Sequence, residues 1–141
     1  MSRSLFAATL MGLTGLATTS LADEVWSTAY GEVAWMDSTE GTAILYLDDT
    51  ENGRTVHIYV PGLQDDMMGG RGAYRGVWIS DGGDDECITQ MTGPDGYKST
   101  YWGQFTLTFV TGDFPSDWAG VFGACLDLPT VPVSGVALYA Q

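Results

Sequence analysis

The run Asp81-Gly82-Gly83-Asp84-Asp85-Glu86 places four carboxylates within six residues, with glycines that let the backbone fold around an ion. Calcium takes roughly six to eight oxygens from carboxylates, carbonyls and water. Asp81, Asp84, Asp85 and Glu86 are therefore the candidate metal ligands, and Ca²⁺ is the one cofactor the sequence suggests. The spacing is not that of an EF-hand, and Asp48 to Gly53 lacks the glutamate that would close such a loop. The competing reading is a solvated acidic loop.

Cys87 and Cys125 are the only cysteines. Neither lies in a Cys-x-x-Cys spacing, so a redox or nucleophilic thiol is not indicated. In an oxidising compartment the pair reads as one structural disulfide, which would stabilise the fold by roughly 4 kcal/mol in the chain-entropy picture. His57 is the single histidine, so Cys/His ligation cannot supply the four ligands of a structural zinc site. No nucleophile elbow accompanies His57, and its place between Thr55 and Tyr59 suits a hydrogen-bonded strand residue better than a general base. Met67-Met68 offers thioethers that suit Cu(I), but neighbours on an extended chain point opposite ways, and gap filling is the simpler role.

The aromatic residues are the other chemical resource. Trp26, Trp35, Trp78, Trp102 and Trp118, with Tyr97 and Tyr101, are more than a small core buries completely. Aromatic faces on sheets bind sugars, peptides and small apolar molecules. Trp78, Tyr101, Trp102 and Trp118 are the candidate ligand-binding residues, and the adjacent pair Tyr101-Trp102 must send one ring inward and one outward. Glycoside hydrolysis would need two acids across a cleft, about 5–10 Å apart. Most acids here sit instead in turn clusters, where Asp belongs for local hydrogen-bonding reasons; Glu32 is the exception, within an apolar run.

These residues need elements to hold them, and the elements are strands. Tyr101 to Val110 alternates: Tyr101, Phe105, Leu107 and Phe109 share a face with Gly103, and Gln104, Thr106 and Thr108 take the other. Thr55 to Val60 puts Val56, Ile58 and Val60 opposite Thr55, His57 and Tyr59. Thr42–Leu47, Tyr74–Ser80, Trp118–Ala124, Val133–Tyr139 and a longer run from Val25 to Met36 complete the set. Polar turn clusters at Asp37 to Gly41, Asp48 to Gly53 and Gly93 to Gly96 reverse the chain between them.

About seven or eight short strands joined by short turns predict an all-β domain, a small meandering antiparallel barrel, with a two-sheet sandwich as the alternative. Tyr74-Arg75-Gly76-Val77-Trp78 and Trp118-Ala119-Gly120-Val121-Phe122 echo each other, each an aromatic–glycine–aromatic face with a cysteine beyond it. The disulfide is expected to tie the ends of these two strands or the loops that follow them. Architecture of this kind assigns no activity by itself.

Residues 1–22 are of another kind. Arg3, the apolar stretch Leu5 to Ala17 and the small-x-small triplet Ser20-Leu21-Ala22 have the pattern of a secretory signal peptide. The apolar run is broken by Gly12 and Gly15 and is short for a membrane span. A single domain over residues 23–141 follows, expected to be exported to a bacterial periplasm or medium, with no membrane insertion after cleavage. An eight-stranded outer-membrane barrel fits poorly, because its strands need about 9–11 residues and a lipid-facing apolar band.

Composition closes off several classes. The 141-residue chain is 45% hydrophobic, enough to build a core, and carries 18 acidic against 5 basic residues, a net charge of −13. Such a surface lacks the clustered Lys and Arg that nucleic acid requires. The expectation is a non-enzymatic binding or interaction module whose partner is a small molecule, a glycan or a protein. A small carboxylate-dependent hydrolase and a structural envelope protein are the alternatives.

Overall fold

The computed structural model describes residues 24–64, 72–111 and 116–138. The expected signal peptide and Met67-Met68 fall outside these residues. All ten elements are strands: β1 (Val25–Thr28), β2 (Gly31–Thr39), β3 (Thr42–Asp49), β4 (Arg54–Pro61), β5 (Ala73–Ser80), β6 (Met91–Thr92), β7 (Lys98–Ser99), β8 (Tyr101–Phe109), β9 (Trp118–Ala124) and β10 (Val131–Leu138). Eight of them close into one antiparallel barrel in the order β1-β10-β9-β8-β5-β4-β3-β2, and β6 and β7 form a separate hairpin. The fold is thus the meandering barrel and not the sandwich, since successive barrel strands pair along the chain and β1 pairs with β10 to seal the ring.

Two segments differ from the sequence expectation. Val25 to Met36 is not one run: a turn at Ala29-Tyr30 splits it into β1 and β2. Gly31, with φ of +134°, releases the chain there, although no polar cluster marks the spot. Conversely, Asp37, Ser38 and Thr39 belong to β2 and not to a turn; the reversal is confined to Glu40 and Gly41, both with positive φ, the mark of a type I′ hairpin. A bulge between Trp35 and Asp37 absorbs the shift in register. The β6–β7 hairpin, lying in the excursion between β5 and β8, was hidden by its two-residue strands.

Alternation places the apolar side chains inside. Val33 and Trp35 from β2, Leu45 from β3, Val60 from β4, Tyr74 from β5, and Phe105, Leu107 and Phe109 from β8 fill the barrel with Trp26 and Trp118. One end, which receives the loops after β2, β4 and β8, is plugged. Trp26 is fully buried there beside Phe109 and donates its indole N–H to the Ser116 carbonyl at 2.9 Å, and Leu63 is buried in the same cluster. The opposite end receives the turns at 29–30 and 50–53, the excursion 81–100 and the loop 125–130.

A second core lies outside the barrel wall. Ile44, Tyr59, Ile79, Cys87 and Trp102 cluster beneath the 81–100 excursion, with Met91 and Tyr97 against them. The Cys87–Cys125 disulfide fastens this layer to the loop just after β9, with Cα atoms 5.5 Å apart. It joins the loops that follow the two echoing strands, as their spacing suggests.

Candidate functional site

The open end holds a cavity of about 100 Å³ in the barrel axis. Its wall is built by the inward positions of the echoing strands and their neighbours: Trp78 from β5, Phe105 and Leu107 from β8, Trp118 and Phe122 from β9. Leu47 and Ile58 close the far side, while Thr28, Tyr30 and Arg54 stand toward the mouth. Among the described residues no buried side-chain nitrogen or oxygen lacks a hydrogen bond, so the space asks for apolar matter and not for a buried polar partner.

Glycines make this space. Trp78 stands opposite Gly103, Phe105 opposite Gly76, and Trp118 opposite Gly135 in their ladders. A Cβ at Gly135 would run into the Trp118 indole, and one at Gly103 into the Trp78 indole and the Gly123 carbonyl. Each large ring therefore folds back over a glycine on the adjacent strand instead of reaching across the barrel. Without this arrangement an eight-stranded interior would be filled by side chains alone.

The mouth is ordered by aromatic contacts and one ion pair. Phe122 meets Tyr30 at 5.7 Å and Trp78 at 6.5 Å, both edge to face. Asp49, at 0% exposure, accepts Arg54 Nε at 2.8 Å and Asn52 Nδ2 at 2.8 Å. Burial pushes the Asp49 pKa up, but the hydrogen bonds from Asn52 and the Arg54 guanidinium outweigh it and hold the carboxyl below the ordinary carboxylate range. Above the cavity lies a polar cleft of about 540 Å³, lined by Tyr30, Asn52, Arg54, Asp81 and Asp84 with the glycines between them.

The four sequence-designated aromatics go to different places. Trp78 and Trp118 line the cavity. Trp102 faces outward and is buried under the excursion, its indole N–H donated to the Thr89 carbonyl at 2.8 Å. Tyr101 is half-buried at the rim beside Gly83. Tyr30, Arg54 and Phe122 were not singled out in the sequence; the aromatic–glycine–aromatic echo was the signal that could have found Phe122.

The four acids of the 81–86 loop divide: Asp81 and Asp84 both line the cleft. Asp81 accepts the Thr55 backbone N–H at 3.0 Å, and Glu86 accepts the Thr100 hydroxyl at 3.0 Å. Asp85 is exposed. Among the described residues no three His, Cys, Asp or Glu side chains come together as a metal-holding group.

His57 lies on the outer wall in an aromatic latch. Its ring stacks on Tyr97 at 3.9 Å and tilts against Tyr46 at 4.4 Å. Asp95, in the turn of the β6–β7 hairpin, accepts the Tyr59 hydroxyl at 2.9 Å and lies 3.6 Å from His57 Nδ1. Burial, the hydrogen bond to Asp95 and its charge push the Tyr59 pKa far above the ordinary tyrosine value. These neighbours of His57 are rings and one carboxylate, with no serine or cysteine nucleophile among them, and the cluster holds the hairpin to the wall.

A scan against protein-family models and searches of curated proteins and of solved structures find no match.

Proposed function

We propose that the protein is a binding barrel that takes a small apolar group into the open end of its lumen. The observation that carries this reading is the cavity itself: a barrel plugged at one end by Trp26 and Leu63, yet hollow at the other, where glycines hold the rings back. A core built only for stability gains from filling such a void, because each missing contact costs dispersion and burial energy.

The setting proposed is an exported one, bacterial periplasm or medium. The Cys87–Cys125 bond supports it, since disulfides persist where thiols are not kept reduced. The exposed outward positions mix apolar Met36, Val136 and Leu138 with Glu32, Arg75 and Thr108, and charged residues among them support a wall facing water.

Toluene and indole, titrated into the purified protein, test the reading. The expected result is a rise in melting temperature that grows with ligand concentration, with a change in tryptophan emission from Trp78 and Trp118. In Leu47→Trp, which fills the cavity, both responses are expected to vanish. A wild-type protein whose melting and emission ignore both compounds would refute the proposal.

A further inference from the structure

The lumen and the cleft above it are two halves of one site with opposite chemistry, and they share Tyr30 and Arg54. The lumen's 100 Å³ opens at its mouth into the cleft, so a ligand longer than the lumen continues into polar surroundings. A ligand that fills both halves is therefore amphiphilic.

The charges of the cleft choose the sign of its head. Arg54 pairs with Asp49, its Nε 2.8 Å from the buried carboxylate, so the two charges balance. Asp81 and Asp84 then leave the cleft with two uncompensated negative charges. The walls of the passage below add a second, independent preference. Tyr30, Phe122 and Trp78 meet edge to face around the mouth, and aromatic faces attract organic cations through their quadrupoles. A carboxylate or phosphate head would meet two like charges and an arginine whose charge Asp49 already balances. Building on the lumen reading, we infer that the ligand is an amphiphilic organic cation: an alkyl- or arylalkyl-ammonium whose apolar body enters the lumen and whose ammonium group rests between the rings and Asp81 and Asp84.

Three probes with one ring and different heads test this: benzylamine, benzyl alcohol and benzoate, titrated calorimetrically into the full exported chain at about 0.01 M and about 0.15 M salt, where the screening length falls from about 30 Å to about 8 Å. Benzylamine is expected to bind about tenfold or more tighter than benzyl alcohol at low salt, with benzoate weakest, and the gap is expected to narrow at the higher salt. In Asp81→Asn/Asp84→Asn the ratio of amine to alcohol affinity is expected to fall to near one; the amide introduced at position 81 keeps an oxygen for the Thr55 N–H, so the loop is preserved. Equal binding of the three probes, or a preference for benzoate, overturns the cationic head while leaving the lumen reading intact. Failure of all three to bind overturns both.

Discussion

Trp78 lies across Gly103. The two residues stand opposite each other in the β5–β8 ladder, and the indole passes over the glycine to donate its N–H to the Gly123 carbonyl on β9, at 3.1 Å. One side chain thereby spans three neighbouring strands, and the ring is held flat against the wall. The same close approach recurs at Trp118 over Gly135, so the cavity is maintained by backbone hydrogen bonding and glycine contacts together.

Gly103→Ala breaks that relationship, because the new methyl meets both the Gly123 carbonyl and the Trp78 ring. A loss of about 3 kcal/mol is expected, at the upper end of the usual cost of overpacking. Chemical denaturation measures it, and Trp78 emission reports the displaced indole.

Removal of the disulfide should loosen the outer layer first. Cys87→Ser/Cys125→Ser is expected to lose roughly 2–4 kcal/mol. Cys125 has φ of +54°, a left-handed conformation that a side chain adopts at a cost. Cys87→Ser/Cys125→Gly should therefore regain about 1 kcal/mol over the double serine variant. Equal stabilities for the two variants would contradict this account of residue 125.

Asp49 gives the protein an acid limb with a definite sign. Its folded pKa lies below the ordinary value of 3.8, so its contribution is complete above that pH and is lost as pH falls through the folded value. Asp49→Asn is expected to lack this part of the pH dependence. Asp49→Ala should cost about 2–3 kcal/mol near neutrality, somewhat less than a fully buried pair because Arg54 is 28% exposed. Stability measured from pH 7 to pH 2 in all three proteins checks both statements.

The β2–β3 turn has room for improvement. Glu40 takes φ of +49° immediately before Gly41, where Asn is the preferred residue of a type I′ turn. Glu40→Asn is expected to raise stability by about 0.5–1 kcal/mol, read as a few degrees in melting temperature. An unchanged or lower melting point would mean that Glu40 makes a compensating contact.

Much of the barrel was legible because its strands are half-buried and alternate. In Tyr101 to Phe109 and Thr55 to Val60 the inward positions Phe105, Leu107, Phe109, Val56 and Val60 are buried as the period of two implies. The break at Ala29-Tyr30 was not legible, since neither residue is a turn former and the signal rests on Gly31 alone. Trp102 and Tyr59 were misleading for a different reason: they are core residues of an outward face. A pattern of alternation shows which side chains share a face, but not that a later excursion of the chain will cover one. The cavity was legible only in part. The paired aromatic–glycine–aromatic strands marked its wall, whereas Arg54 and Tyr30 enter it because the antiparallel meander returns the β1–β2 turn and the start of β4 to the same rim.

The pairing of β1 with β10 also carries a consequence for how the chain reaches this state. Trp26 pairs with Ala137 across a longer stretch of chain than separates the partners of any other ladder, so this seam carries the largest loop-closure cost. Until it closes, the sheet carries two bare edges and an apolar inner surface, the features that template pairing with other chains. Loop closure over that distance is slow compared with hairpin formation. A chain in which that seam is open is thus the aggregation-prone form, and the pairing of Val25, Trp26 and Ser27 with β10 closes it.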